Sequence, residues 1–138
     1  MNIALIDFIK KGYKFGIVGI ISTIINYSVF ALLYKTFELY YIFSSVMGYI
    51  SGLLLGYLLN KYWTYIEQID KTKSYIFEYF ILYMISLFVS QLFLFSVVEI
   101  ILINPMYANI LAIGLSTIMN FLGTNFFVFN KTENHYVL

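Results

Sequence analysis

Asn26, Gln91 and Asn120 stand inside long apolar runs, while Asn60 and Lys61 close one such run and Lys14 opens another. In hydrocarbon every unmet amide hydrogen bond is costly, so the three amides must face either a partner helix or a hydrated cavity. The residue types leave both open; in a cavity the amides would hydrogen-bond a hydroxyl-rich polar group. Lys14 and Lys61 sit where a long side chain reaches the headgroup level, which suits plain topological anchoring. Lys61 also follows Asn60 directly, beside the interfacial Tyr62 and Trp63, and that grouping suits a phosphate. All eight positive residues are lysines, so an anion here meets ammonium, amide or backbone donors rather than a guanidinium fork. No paired carboxylates, nucleophile constellation or metal ligands converge anywhere, so neither a catalytic nor a metal site is expected, and no cofactor. Cysteine is absent, which excludes disulfides and thiolate metal sites. Glu78 and Glu99, near opposite ends of the third run, are expected to be solvated or lysine-paired, and His135 falls in a polar tail.

These groups must be positioned by membrane helices. Hydrophobic residues make up 62% of the 138-residue chain and charged ones 11%, against roughly 45 to 50% apolar in soluble domains. A net charge of +1 gives no reason to expect nucleic acid as a partner. Crossing about 30 Å of hydrocarbon takes roughly 20 helical residues, and four runs reach that length, at about 15–34, 41–59, 76–98 and 106–127. The connections at 35–40, 60–75 and 99–105 are too short for a soluble domain, and Asn104-Pro105 reads as a turn. Lys10, Lys11 and Lys14 precede the first helix, Lys61, Lys71 and Lys73 lie between the second and third, and Lys131 follows the fourth. Seven of eight lysines therefore share one side, which predicts cytoplasmic termini. The N-terminal lysines and apolar run mimic a signal peptide, but no small-residue cleavage site closes the run, so it is expected to stay as a helix. Aromatics such as Tyr40, Tyr41, Tyr62, Trp63, Tyr65, Tyr75, Phe126, Phe127 and Phe129 crowd the span ends as interface anchors.

A shift of 64 residues superposes the two halves. Ser44, Gly48, Gly52, Gly56 and Asn60 fall on Ala108, Ala112, Ser116, Asn120 and Thr124, each row a small-residue stripe with four-residue spacing on one helix face. Ser22 and Asn26 fall on Ser86 and Ser90, with Gln91 beside the latter. Such stripes serve helix packing more often than a substrate path. Two crossings per copy make the copies enter the membrane in the same direction, related by an axis near its normal. The expected fold is an all-α membrane protein, one four-helix transmembrane domain of two tandem same-orientation hairpins. Repeat one covers about 14–65 and repeat two about 78–129, with a polar tail at 130–138.

The segments Gly56 to Tyr65 and Asn120 to Phe129, together with Phe15-Gly16-Ile17-Val18-Gly19, resemble the GtrA-like family of small four-helix membrane proteins. The pattern reads roughly Asn-Phe-Leu-x-Asn-Lys/Arg-x-Trp-x-Phe, and the resemblance runs from about Lys14 to Phe129. Gly56 replaces the first Asn in one copy, and Thr124-Asn125 replaces the Asn-Lys/Arg pair in the other, so only one copy keeps a cation. The resemblance implies flipping of a polyprenyl-phosphate-linked monosaccharide, of the undecaprenyl phosphate glucose kind, from inner to outer leaflet of a bacterial cytoplasmic membrane. The sugar then reaches a surface polysaccharide or teichoic acid. The motif positions Asn60, Lys61 and Asn125 are then expected at the lipid phosphate with Lys14 beside them, and the motif positions Asn120 and Thr124 along the headgroup path with the polar groups Ser22, Asn26 and Gln91 of helices one and three. Tyr57, Trp63 and Phe121 would be the aromatic contacts. Implied partners are the sugar lipid, membrane lipids and membrane glycosyltransferases, and four short helices also leave room for a homo-oligomer. No Walker sequence or mid-span acid offers an energy source, which points to downhill movement. Two rivals stand beside this reading. A non-transporting subunit that recruits a glycosyltransferase has the same sequence features, whereas an exporter of the small multidrug resistance type would need an acid in helix one, and the run at 15–34 has none.

Overall fold

Leucine-, isoleucine- and phenylalanine-rich segments have no water to satisfy their backbone in lipid, and a helix meets that demand within one segment. The computed structural model describes residues 2–64 and 76–128. Expectations that fall on Tyr65, Lys71, Lys73, Tyr75, Phe129, Lys131 and His135 lie outside the described residues. Helices α1 (Ile3–Ala31), α2 (Tyr41–Leu59), α3 (Ile76–Glu99) and α4 (Pro105–Gly123) follow in order, and among the described residues there is no strand. Wider π-helical turns continue three of them, at Leu32–Thr36, Asn60–Thr64 and Thr124–Val128. The candidate spans Ile3–Thr36, Tyr41–Thr64, Phe77–Glu99 and Pro105–Phe127 are long and apolar enough to cross a bilayer. The chain is a multi-pass membrane protein of helical class.

Two boundaries differ from the sequence reading. Helix α1 begins at Ile3 rather than near Phe15, because Asn2 caps it through the Ala4 amide (3.3 Å) and nothing before Phe15 breaks the helix. Lys10, Lys11 and Lys14 therefore ride on the helix instead of preceding it. Its span of 34 residues is roughly 50 Å long at about 1.5 Å per residue, well beyond the ~30 Å of hydrocarbon. The first turns, with Ile3, Phe8 and Tyr13 exposed next to Lys10, have the composition of an interfacial segment. Asn60 and Lys61 likewise belong to a helical turn, not to a connection. At α4 the Asn104 side chain accepts from the Met106 amide at 2.9 Å and Pro105 takes the first turn, where its missing N–H costs nothing.

Several features of the coordinates are spaced by 64 residues. Helices α2 and α4 begin and end at positions offset by that interval, as do the π-helical turns after them. Glu38 and Leu102, in the two short connections, carry the only positive φ values among the described non-glycine residues, 53° and 64°. The ring pairs Phe15–Phe121 and Tyr79–Tyr57 both have centroids 4.9 Å apart, one across α1 and α4, the other across α3 and α2.

Helix α1 packs chiefly on α2, and α3 on α4, with sparser contact between the two pairs. Both small-residue stripes are buried throughout. A polar bridge joins α2, α3 and α4: Ser45 Oγ donates to Asn109 Oδ1 at 2.8 Å, and Gln91 Nε2 donates to Ser45 Oγ at 3.2 Å. Ser45→Ala would orphan both partners, so a loss of about 1 to 2 kcal/mol is expected in thermal unfolding of the detergent-solubilised protein. Unchanged stability would mean that the bridge is replaceable. At one end Phe30, Tyr41, Leu94 and Val97 form a buried cluster; at the lysine-bearing end Phe15, Tyr49, Tyr79, Tyr83 and Leu87 form another. Polar groups lie between them.

Candidate functional site

Close approach of α1 and α2 comes first, because it sets where the polar groups point. A Cβ on Gly48 would stand 2.5 Å from the Asn26 carbonyl oxygen, and one on Gly52 2.9 Å from that of Ser22. Only glycine lets the backbones come this near. Ser22 and Asn26 are thereby held at the edge of α2, on the side facing α4.

There they line a narrow cleft with Asn60 of the π-helical turn, Tyr49 of α2, Tyr83 of α3 and Ser116, Thr117 and Asn120 of α4. Its volume is about 50 Å³, enough for one or two waters at about 30 Å³ each and far too small for a hexose. Asn120 Nδ2 donates to the Tyr49 hydroxyl at 3.2 Å, and that hydroxyl donates to the Tyr83 carbonyl at 3.0 Å. Tyr79 donates to the Tyr83 hydroxyl at 2.7 Å. Asn60 Oδ1 accepts from Thr64 Oγ1 at 2.9 Å, a bond within the wide turn that fixes the amide in the cleft wall. Six buried side-chain polar atoms among the described residues lack a partner, Glu78 Oε2, Gln91 Oε1, Asn109 Nδ2 and Thr124 Oγ1 among them, and two of the six belong to residues that line the cleft. Asn26 Oδ1 and Ser22 Oγ are buried with no hydrogen bond, and Asn26 as a whole is 7% exposed. In a dry interior an orphaned amide oxygen costs roughly 1 to 3 kcal/mol, so its presence beside a water-sized space marks a place where a polar guest would be rewarded.

Of the residues singled out from sequence, Ser22, Asn26, Asn60 and Asn120 share this cleft. Gln91 does not line it; it is held in the Ser45–Asn109 bridge described above. Thr124 is fully buried and, like Asn125, lies outside the cleft walls. Lys14 donates to the Trp63 carbonyl at 3.5 Å and lies 5.9 Å from the Trp63 ring, tying α1 to the end of α2. Lys61 lies 5.7 Å and 5.4 Å from the rings of Tyr57 and Tyr62, and Tyr57 leans on Tyr79, so this ammonium is on the α2–α3 side. Phe121 packs on Phe15, whose ring is part of the cleft wall. Glu99 accepts from the Tyr41 hydroxyl at 2.7 Å rather than from a lysine.

Tyr49 and Tyr83 were not anticipated as polar groups of the interior. Their signal was a phenol at mid-span on the same helical face as the small-residue stripe, where a hydroxyl must find a partner. Outside the cleft, between α1 and α4, runs an apolar groove of about 490 Å³ that shares Phe15, Gly19, Thr23 and Thr117 with it. The arrangement can take a hydroxyl-bearing group inside and a hydrocarbon alongside. A family model described as GtrA/DPMS, transmembrane domain, matches residues 14–129. No curated protein and no solved structure matches the chain.

Proposed function

The chain belongs to the GtrA/DPMS transmembrane-domain family, and on that footing we propose that it moves a polyprenyl-phosphate-linked monosaccharide between leaflets. The cargo would be of the undecaprenyl phosphate glucose kind, carried from the inner to the outer leaflet of a bacterial cytoplasmic membrane for surface polysaccharide or teichoic acid glycosylation. The tail can remain in lipid throughout, so the task is to lower the barrier to a phosphate and a sugar crossing an apolar slab. The observation that carries this reading is the pair of unpartnered oxygens, Asn26 Oδ1 against Gly48 and Ser22 Oγ against Gly56, on residues that line a cleft beside an apolar groove.

In this reading the lysine-bearing ends face the cytoplasm and the two hairpins are tandem copies about an axis near the membrane normal. The direct Ser45–Asn109 hydrogen bond supports that symmetry: the two residues are 64 apart, and equivalent positions meet only close to the axis that relates them. Lys14 and Asn60 receive the phosphate, while Lys61, on the α2–α3 side, and Asn125, outside the cleft walls, draw it to this end of the helices without lining the cleft. Ser22, Asn26 and Asn120 then bond the sugar as α1 and α4 part to enlarge the cleft, with Phe121 on that seam as a stacking surface; Tyr57 packs on Tyr79 on the opposite side. No bond is made or broken in the cargo, and use of the sugar outside draws the movement downhill.

The test is translocation of a labelled sugar lipid by the purified protein alone in liposomes. Lys61→Ala is expected to abolish surface glycosylation in cells while the protein stays in the membrane at normal abundance, read by polymer sugar analysis and immunoblot. Retained modification would remove Lys61 from the mechanism. The narrowness of the cleft favours one second reading, a non-transporting subunit that docks a membrane glycosyltransferase. That reading gains if liposomes show no flipping and the enzyme co-purifies.

A further inference from the structure

The α1–α4 groove is lined on α1 by glycines that have no glycine counterpart in the other half. On α1 its floor is Gly16 and Gly19, with Gly12 at one end, and an added Cβ would meet nothing within 4 Å at Gly12 and Gly16 and only Thr117 Cγ2 at 3.9 Å from Gly19. The positions 64 residues on from Gly16, Gly19 and Thr23 are Phe80, Tyr83 and Leu87 on α3. There Tyr83 and Leu87 are buried in the cluster with Tyr79 and Tyr49 and close the inner part of the seam, while the Phe80 ring is 55% exposed. One seam between the hairpins is thus hollow along α1 and its mate is closed on its inner part.

From this asymmetry we infer that the α1–α4 groove is the seat of the isoprenoid tail, and that cargo enters the cleft from this side only; the inference rests on the transport reading above. Three observations favour a lipid chain over a second copy of the protein. The groove shares Gly19, Thr23 and Thr117 with the cleft, so whatever lies in it borders the cleft that Asn26 and Ser22 line. A helix of another copy seated there would seal the cleft's mouth against any polar guest, whereas a tail brings its own polar head to the opening. From Gly12 to Ile24 the groove follows α1 for roughly 18 Å at about 1.5 Å per residue, a lengthwise slot suited to an extended chain. Its volume of about 490 Å³ is within the roughly 300 to 1,000 Å³ typical of small-molecule sites.

The experiment uses the full chain in vesicles of phosphatidylethanolamine and phosphatidylglycerol, with a polyprenyl phosphate bearing a photoreactive diazirine in its tail. Peptide mapping by mass spectrometry should place the label on α1 between Gly12 and Ile24 and on α4 between Thr117 and Leu122. Gly16→Phe, which copies the ring at Phe80, should cut labelling about tenfold by displacing several methylene contacts. Ile20→Trp, on the exposed wall, is the second variant, and thermal unfolding of both checks the fold. Label on the α2–α3 seam, label unchanged in a folded variant, equal competition by phosphatidylglycerol, or copies cross-linked through α1 with no lipid label would each overturn the inference. Parallel flipping assays separate the two claims. Flipping with label elsewhere sinks the groove alone, and label in the groove without flipping sinks transport while leaving the tail site standing.

Discussion

Asn26→Leu should leave the protein at least as stable as its parent while cutting translocation of the sugar lipid roughly ten- to a hundredfold. The two halves of that expectation come from one atom. Asn26 Oδ1 is buried without a partner, so replacing the amide by an apolar group of similar size removes a desolvation penalty and breaks no observed bond. If the oxygen exists to bond a headgroup in passage, its loss raises the barrier by about the 1 to 3 kcal/mol that an unmet polar group costs there. A structural asparagine has the opposite signature, as Ser45→Ala does in the interior bridge. Two measurements decide it: thermal unfolding in micelles and flipping in liposomes. Lower stability with full transport would make Asn26 a packing residue and leave the cleft without its strongest support.

Gly48→Ala should cost about 3 kcal/mol or prevent folding altogether. Its Cβ would lie 2.5 Å from the Asn26 carbonyl and 2.8 Å from Asn26 Oδ1, and a backbone atom cannot rotate away as a side chain does. Overpacking typically costs about 1 to 3 kcal/mol. Here the upper end applies because two helices must separate along a contact in lipid, where close packing itself drives association. Gly114→Ala is the internal control. Nothing lies within 4 Å of the Cβ it would add, so relief of glycine's backbone entropy should stabilise α4 by about 0.5 to 1 kcal/mol. Comparable melting of the two variants would show that α1 and α2 are not held at the separation described.

The first prediction probes what the cleft does, the second what makes it. The α1–α2 glycine contact pins Ser22 and Asn26 beside α4. Under the proposed transport reading the sparser α1–α4 seam, where the Phe15–Phe121 ring contact stands at 4.9 Å, would be the boundary that opens.

Much was legible beforehand. Four runs of spanning length and the 64-residue echo are local statements about residue type, and the helices follow them closely. The start of α1 was misjudged because the reading took the lysines as a boundary, although a lysine is a good helix former and the cap is at Asn2. The polar path was half legible. Asn26 and Asn120 entered the cleft, but Gln91, equally polar and equally placed in its run, turned to Ser45 instead. The hollow seam was written in the pairing of Gly16 with Phe80 and Gly19 with Tyr83, yet the comparison of the halves weighed only small and polar rows.

The apolar runs alone determined that this chain crosses a membrane in four helices, because transfer from water to lipid sums over the residues of each run, whatever packs against it. Which amide faces a cavity, and which seam stays open, was decided by tertiary structure. Those outcomes depend on the rotation of each helix and on the side chain that the opposite helix presents at the same height, a relation between distant residues that no single run contains.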